Sequence, residues 1–474
     1  MRKINSKFIQ AEQIGSMLIY TIVIIFIFSL VIVSALSYAT GQLRIIRSAG
    51  NRELAFQIAE AGVNYYQWHL AHFPNDYQDG TGAAGPYLHD YIDKDTNTLI
   101  GRFSLDITAP LIGSTIVTIK STGYTLANPK STRTITTRYG IPSLSKYAFL
   151  SNSDMWFGNT ESVSGELFSN GGVRFDGSSN APIDSAKTTY SCSALFGCCP
   201  ATNKPGVWGS APPATQSFFK NSQPNVDFSS ITSNLATMKS DAQTAGIYLP
   251  PSSQQGYSLV FNAAGTVDVY KVISLKSNPS GFDTNCTVDN SCNINCSARN
   301  DQLDYNARVL QFSQAIPANG LIYVEDKVWV EGVVKGRAMV VAAKLPLTIA
   351  SAPNIYIPNN ITYLAKDGTN VLGLLSQKDI IVTYRAPDFL EIDAALIAQN
   401  GVANFFYYPG IIKDTITIYG TVASFGTWTW SWNSPVNSGY PNTNTIYDAS
   451  LLYSPPPSFP LTSNGYQQIS WSSD

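Results

Sequence analysis

Charge is scarce in this chain. Only 13% of its 474 residues are Asp, Glu, Lys or Arg, about half the roughly 25% of an ordinary soluble domain. The formal net charge of −2 leaves no global field to attract nucleic acid, and no nucleic-acid partner is expected. Disorder is excluded as well, because 44% of the residues are apolar and disordered chains pair low hydrophobicity with high net charge. Three histidines are too few for a His-rich metal centre. GxSxG, HExxH and GxxxxGK[ST] are all missing, which removes the common hydrolase, zincin and P-loop signatures. No metal and no cofactor are expected.

What is present is unevenly placed. No charged side chain occurs from Gln13 to Leu43. The run 16–40, SMLIYTIVIIFIFSLVIVSALSYAT, is long enough to cross a bilayer as a helix. Arg2, Lys3 and Lys7 precede it and hold that end in the cytoplasm, so the bulk of the chain is expected outside. A cleaved secretory signal would have a shorter apolar core followed by a small-residue cleavage site. Here the run continues into more helix. Leu54, Ile58, Ala61, Tyr65 and Trp68 recur at helical spacing and predict an apolar stripe that packs on a globular partner. Pro74 and the DGTG at 79–82 end the helix.

The leader ending in Gly15, then Ser16-Met17-Leu18-Ile19 and the apolar helix, resembles a class III type IV prepilin. The segment 50–62, GNRELAFQIAEAG, is similar to the N-terminal signature of PilX-like minor pilins. The resemblance implies a prepilin peptidase that cuts between Gly15 and Ser16, storage in the membrane, and later assembly with other pilin subunits. Major pilins carry glutamate at the fifth mature position. Tyr20 stands there in this chain, which implies a minor, low-copy role.

Beyond the helix, Phe103, Leu105 and Ile107 alternate and Thr132–Thr136 is β-branched, predicting a small antiparallel sheet. From about Tyr147, short runs of Val, Ile, Phe and Tyr recur between Gly, Asn and Pro. The fold class expected is α+β, mostly β: a long helix, a small pilin-like sheet, then a β-helix (solenoid), with a β-sandwich as the alternative. The expected division is a leader at 1–15, a helix at 16–73 (membrane half 16–40, amphipathic half 41–73), and a small β headgroup at 74–146. The solenoid then occupies 147–177 and 320–426, around a loop-rich insertion at 178–319 and before an aromatic, Pro-rich cap at 427–474.

Cys192, Cys198, Cys199, Cys286, Cys292 and Cys296 all fall in the insertion. An even number on the outer side of a membrane predicts disulfides that staple this lobe. The pairing stays open, except that adjacent Cys198 and Cys199 are poor partners. Zinc is disfavoured because CxxC spacing is absent. His69 and His72 read as polar groups at a helix end.

Two surface features invite function. Trp428, Trp430 and Trp432 alternate, so on a strand they share one face. Exposed, they would stack on a glycan or anchor a protein; buried, they would cap the solenoid. Arg385, Asp388, Glu391 and Asp393 form the densest charged cluster. Paired outward carboxylates could bind calcium or act on a sugar, and a solvated strand face explains them equally well. The function expected is a non-enzymatic minor pilin-like subunit that displays a large extracellular β-domain for assembly or adhesion. The alternatives are a bitopic surface adhesin and, behind it, a membrane-tethered β-helix enzyme acting on polysaccharide.

Overall fold

The computed structural model describes residues 11–228, 235–277, 285–288, 294–297, 301–346, 348, 351–408, 410–432, 437–462 and 465–474. The chain is mostly β, with a long apolar N-terminal helix, and it divides into two units. The first unit holds that helix and a small antiparallel sheet; the second holds the large β-array.

The helix Ala11–His72 runs for 62 residues without a break. From Met17 to Ile46 its large apolar side chains are exposed, and by length and composition this stretch is a candidate membrane span. The second half packs on the sheet through Ala55, Ile58, Ala59, Val63, Tyr66 and Leu70. This stripe is rotated from the one expected: Ile58 belongs to it, but Trp68 is exposed. Glycines set the rotation. A Cβ on Gly123 would run into the backbone of Ala55 and Ala59, and one on Gly62 would meet Ser121 and Phe103. Helix and sheet therefore approach most closely where neither side has bulk. The sheet comprises Tyr87–Ile92, Leu99–Thr108, Val117–Thr125, Asn128–Gly140 and, at its edge, Gln467–Ser473. That last strand corrects the expectation that 427–474 is wholly a cap on the solenoid.

In the second unit most described ladders are parallel, which is the stacked-coil arrangement of a solenoid and not the antiparallel pairing of a sandwich, while Gly256–Asn262, Thr266–Val272 and Arg308–Ala315 pair antiparallel. One ladder runs Ile247–Leu249, Leu321–Val324, Arg337–Ala342, Val371–Ser376, then the ends of Phe389–Ala398 and Thr415–Ser424. It continues through Phe149–Ser151, Leu167–Ser169, Ile183–Ser185 and Phe219–Lys220. The chain thus enters the stack in its middle, at Phe149–Ser151, and builds outward to Phe219–Lys220. It resumes at the opposite end with Ile247–Leu249 and winds back until Thr415–Ser424 closes on Phe149–Ser151. The segment 178–319, expected as an insertion, therefore supplies coils at both ends. The same segment carries the helix Leu235–Ala245.

This ladder is buried on both faces. Phe149, Val422, Leu396, Leu374 and Val340 point into the solenoid. Their neighbours Leu150, Ala423, Ile397, Leu375 and Val341 point outward, where Leu235, Met238, Leu451 and Phe459 cover them. Runs such as AMVVAA and DAALIA are continuous because a doubly covered parallel strand has no solvent side. Pro455, Pro456 and Pro457 are buried, held where Arg337 Nη2 donates to the carbonyls of Ser454 at 2.7 Å and Pro455 at 2.5 Å.

Candidate functional site

A second side of the solenoid carries Ile355–Ile357, Ile380–Val382 and Ala403–Phe405 in parallel register. Asn404 then bridges to Thr429. The next three strands, Met155–Phe157, Val173–Phe175 and Val207–Trp208, form a separate sheet. Among the described residues no ladder joins Thr429 to Met155–Phe157, and a cleft of about 340 Å³ opens there. Trp428, Trp430 and Trp432 line it from one side, and Trp156, Glu161, Arg174 and Asp176 from the other. Asn159, Thr160, Leu195 and Ser210 form its exposed rim.

Of the two readings the sequence left open for the tryptophans, the buried one is found. Trp428, Trp430 and Trp432 are 4%, 1% and 9% exposed, and the described strand here covers only Ser431–Trp432. Trp428 packs against Phe149 and Phe157, each at 4.9 Å between ring centroids. Trp432 Nε1 donates to the Phe405 carbonyl at 2.7 Å. The indole N–H groups of Trp428 and Trp430 are buried without a partner.

The opposite wall is electrostatically settled except at one group. Arg174 Nε donates to Asp176 Oδ2 at 2.8 Å, and Trp156 Nε1 donates to the same oxygen at 2.9 Å. Ser210 gives both its backbone N–H and its hydroxyl to Asp176 Oδ1, each at 2.8 Å. Burial alone would raise the Asp176 carboxyl, but these donors outweigh it and hold it below the usual range. Glu161 differs: burial pushes its carboxyl up to about 8, against a lowering backbone hydrogen bond from Gly158, and the Asp176 charge adds to the rise. Its Oε2 is buried without a partner. Glu161 is therefore mostly a neutral carboxylic acid at pH 7. The alternating tryptophans were readable in the sequence; Glu161, Arg174 and Asp176 were missed, because nothing local marks them as neighbours of residues 428–432.

The loop over this wall is closed by the disulfide Cys192–Cys198. It brings the Phe196 carbonyl to 2.9 Å from Arg174 Nη1. Cys199, next to this bridge, is disulfide-bonded as well. No described cysteine is free. Cys286 and Cys296 are register partners across a hairpin, and Cys292 lies outside the described residues.

The charged cluster does not come together as expected. Asp393 is buried rather than outward, and Lys366 Nζ holds it at 2.8 Å together with Glu391 at 2.7 Å. Asp388 pairs instead with Lys413 at 3.0 Å, and the Arg385 backbone donates to Gln302. Asp393 faces outward by alternation, but the coil above covers that side through Tyr363, whose N–H reaches its Oδ2 at 2.8 Å. His69 and His72 do not converge: His69 meets Asp76 at 3.0 Å, and His72 meets the Trp68 carbonyl. Gly15 and Ser16 lie inside the helix with no break between them, and Tyr20 is exposed.

No family model matches the chain, and no curated protein matches it. Among solved structures, the chain is similar to the competence-associated pilin ComZ from Thermus thermophilus. The identity is 11% and the TM-score 0.30, over 90% of this chain and 97% of that one.

Proposed function

We propose that the chain is a non-enzymatic, pilin-like minor subunit of a type IV pilus or related filament. It is stored in the membrane by its N-terminal helix and displays its β-units outside for filament assembly or adhesion. The observation that carries this reading is the single helix Ala11–His72, apolar and bare in its first half, docked on its own sheet in its second. A simple tether needs only the first half. A helix that extends unbroken from a span into a headgroup couples the two rigidly, as a subunit that bundles by its helix requires. Arg2, Lys3 and Lys7 favour a cytoplasmic N-terminus. Prepilin peptidase cleavage between Gly15 and Ser16 would leave Tyr20 where an assembling acid stands in major pilins, which suits a low-copy position.

The test is mass spectrometry of the N-terminus from cells with active prepilin peptidase, together with probing of sheared surface filaments. A chain starting at Ser16 and present in the filaments is the expected result. A chain still starting at Met1 and absent from filaments overturns it. A second reading, a surface adhesin anchored by the same helix but outside any filament, is favoured by the tryptophan-lined cleft.

A further inference from the structure

We propose that the outer edge of the strand Asn128–Gly140 is a strand-acceptor site, and that its partner is the C-terminal strand Gln467–Ser473 of a second copy of this chain. The site goes beyond the filament reading, since it needs only two folded copies. Within one copy the two strands are neighbours, and Gln467–Ser473 is the outermost member of the five-stranded sheet. It differs from the other four. Each of those buries side chains, Tyr87, Phe103, Val117 and Ile135 among them. Every residue of Gln467–Ser473 is exposed. Its Trp471 meets Phe56 of the helix edge-on, 6.1 Å between ring centroids, and is still 45% exposed.

What holds the strand is directed at main-chain oxygens. The Asp474 N–H donates to the Thr134 carbonyl at 3.1 Å, and Ser472 Oγ donates to the Thr136 carbonyl at 3.3 Å. Thr137 Oγ1 donates to the Ser470 carbonyl at 2.8 Å, and Arg133 Nη1 to the main-chain oxygen of Asp474. Bonds of this kind recognise an extended segment whichever chain supplies it. A strand that buries no side chain returns little apolar surface to water when it leaves, so it belongs to the least stable local elements of the fold. Its departure leaves Asn128–Gly140 as a bare edge, which pairs readily with another strand. Charge selects the occupant. Asn128–Gly140 carries Lys130, Arg133 and Arg138 and no acid, so two such edges would oppose like charges. Gln467–Ser473 is uncharged and is followed by Asp474. The sequence that fits the edge is therefore the one already seated on it, and a second copy carries the same sequence. Exchange of an identical element is a low-cost route to a linked pair.

The experiment uses the full chain in detergent micelles, as two differently tagged variants mixed in equal amounts. One carries Thr136→Cys and the other Ser472→Cys, residues that lie opposite each other across the two strands. In a control mixture Ser104→Cys, on the strand Leu99–Thr108 of the same sheet, replaces Thr136→Cys and reports random coupling. A disulfide-linked pair carrying both tags, mapped by mass spectrometry to residues 136 and 472, is expected in the first mixture and not in the control. Hydrogen exchange is read on the unaltered chain, which keeps the proposal testable if a variant misfolds. Amides of 467–473 should exchange about a hundredfold faster than those of 99–108. Equal yields in the two mixtures, linkage of Thr136→Cys copies to one another instead, or equal protection of 467–473 and 99–108 would each overturn the proposal. None of these results depends on how the N-terminus is processed or on presence in a filament.

Discussion

Arg174 donates through Nε to Asp176 Oδ2 at 2.8 Å. The two stand two residues apart, the first on the strand Val173–Phe175 and the second just past its end, so both side chains leave on the same side. Arg174→Lys keeps the charge but loses the planar fork, the contact with Phe196 and the stacking on Trp156. It is expected to destabilise the β-unit by about 1–3 kcal/mol, read as a lower thermal midpoint, with blue-shifted or quenched tryptophan emission changing in parallel. An unchanged midpoint would mean that Asp176 finds its other donors sufficient.

The Cys192–Cys198 bridge closes the loop that delivers the Phe196 carbonyl to Arg174. Its loop is short, and the loss of unfolded-state constraint on opening it is worth about 2 kcal/mol. A Cys192→Ser, Cys198→Ser double variant should therefore stay folded yet become sensitive to limited proteolysis between residues 192 and 198. Peptide mapping of the nicked chain checks the position. Cleavage that first appears elsewhere would show that the bridge does not govern this loop.

Much of this architecture was legible in residue order, and the reasons differ by element. The membrane half of the helix is readable because a charge-free run has few soluble uses. The interior of the solenoid is readable at Leu390, Ile392, Ala394 and Leu396, which do face inward. The exposure of Asp393 and of the tryptophans was not readable, because it depends on which coil lies above. A period-two pattern assigns a side; it does not say whether that side is covered. The entry of the chain into the middle of its own stack was invisible for a related reason: strand pairing between residues 149 and 422 leaves no trace at short range.

Lys366 bridges Asp393 and Glu391 across adjacent coils. Burial raises the Asp393 carboxyl, and Lys366 and the Tyr363 N–H act against that rise. Lys366→Met would strand a buried carboxylate, costing about 3–5 kcal/mol. Adding Asp393→Asn should recover a large part of the loss, since the amide can still accept from Tyr363. Denaturant midpoints of the single and double variants decide it: an additive loss in the double variant would rule out the coupling.

Gly123 permits the closest approach between the small sheet and the helix. A methyl there would meet the Ala55 carbonyl oxygen and the Ala59 nitrogen, both backbone atoms that cannot rotate away. Gly123→Ala should force the helix outward and cost about 1–3 kcal/mol through overpacking. Hydrogen exchange should rise across residues 55–66 while the stretch 17–46 in micelles remains protected. Uniform protection in the variant would mean that the sheet, not the helix, absorbs the shift.

Glu161 makes stability depend on pH with a defined sign. Its carboxyl titrates at about 8 when folded, against an ordinary 4.5. Between those values the folded chain keeps a proton that the unfolded chain releases. The stabilising contribution is complete below about 4.5 and is lost as pH rises through about 8. Glu161→Gln has no proton to lose, so the difference in thermal midpoint between variant and parent should widen in favour of the variant across that window. Other groups titrate over the same range in both proteins, and subtraction removes them. A constant difference from pH 5 to about pH 9 would place the folded Glu161 carboxyl near its ordinary value.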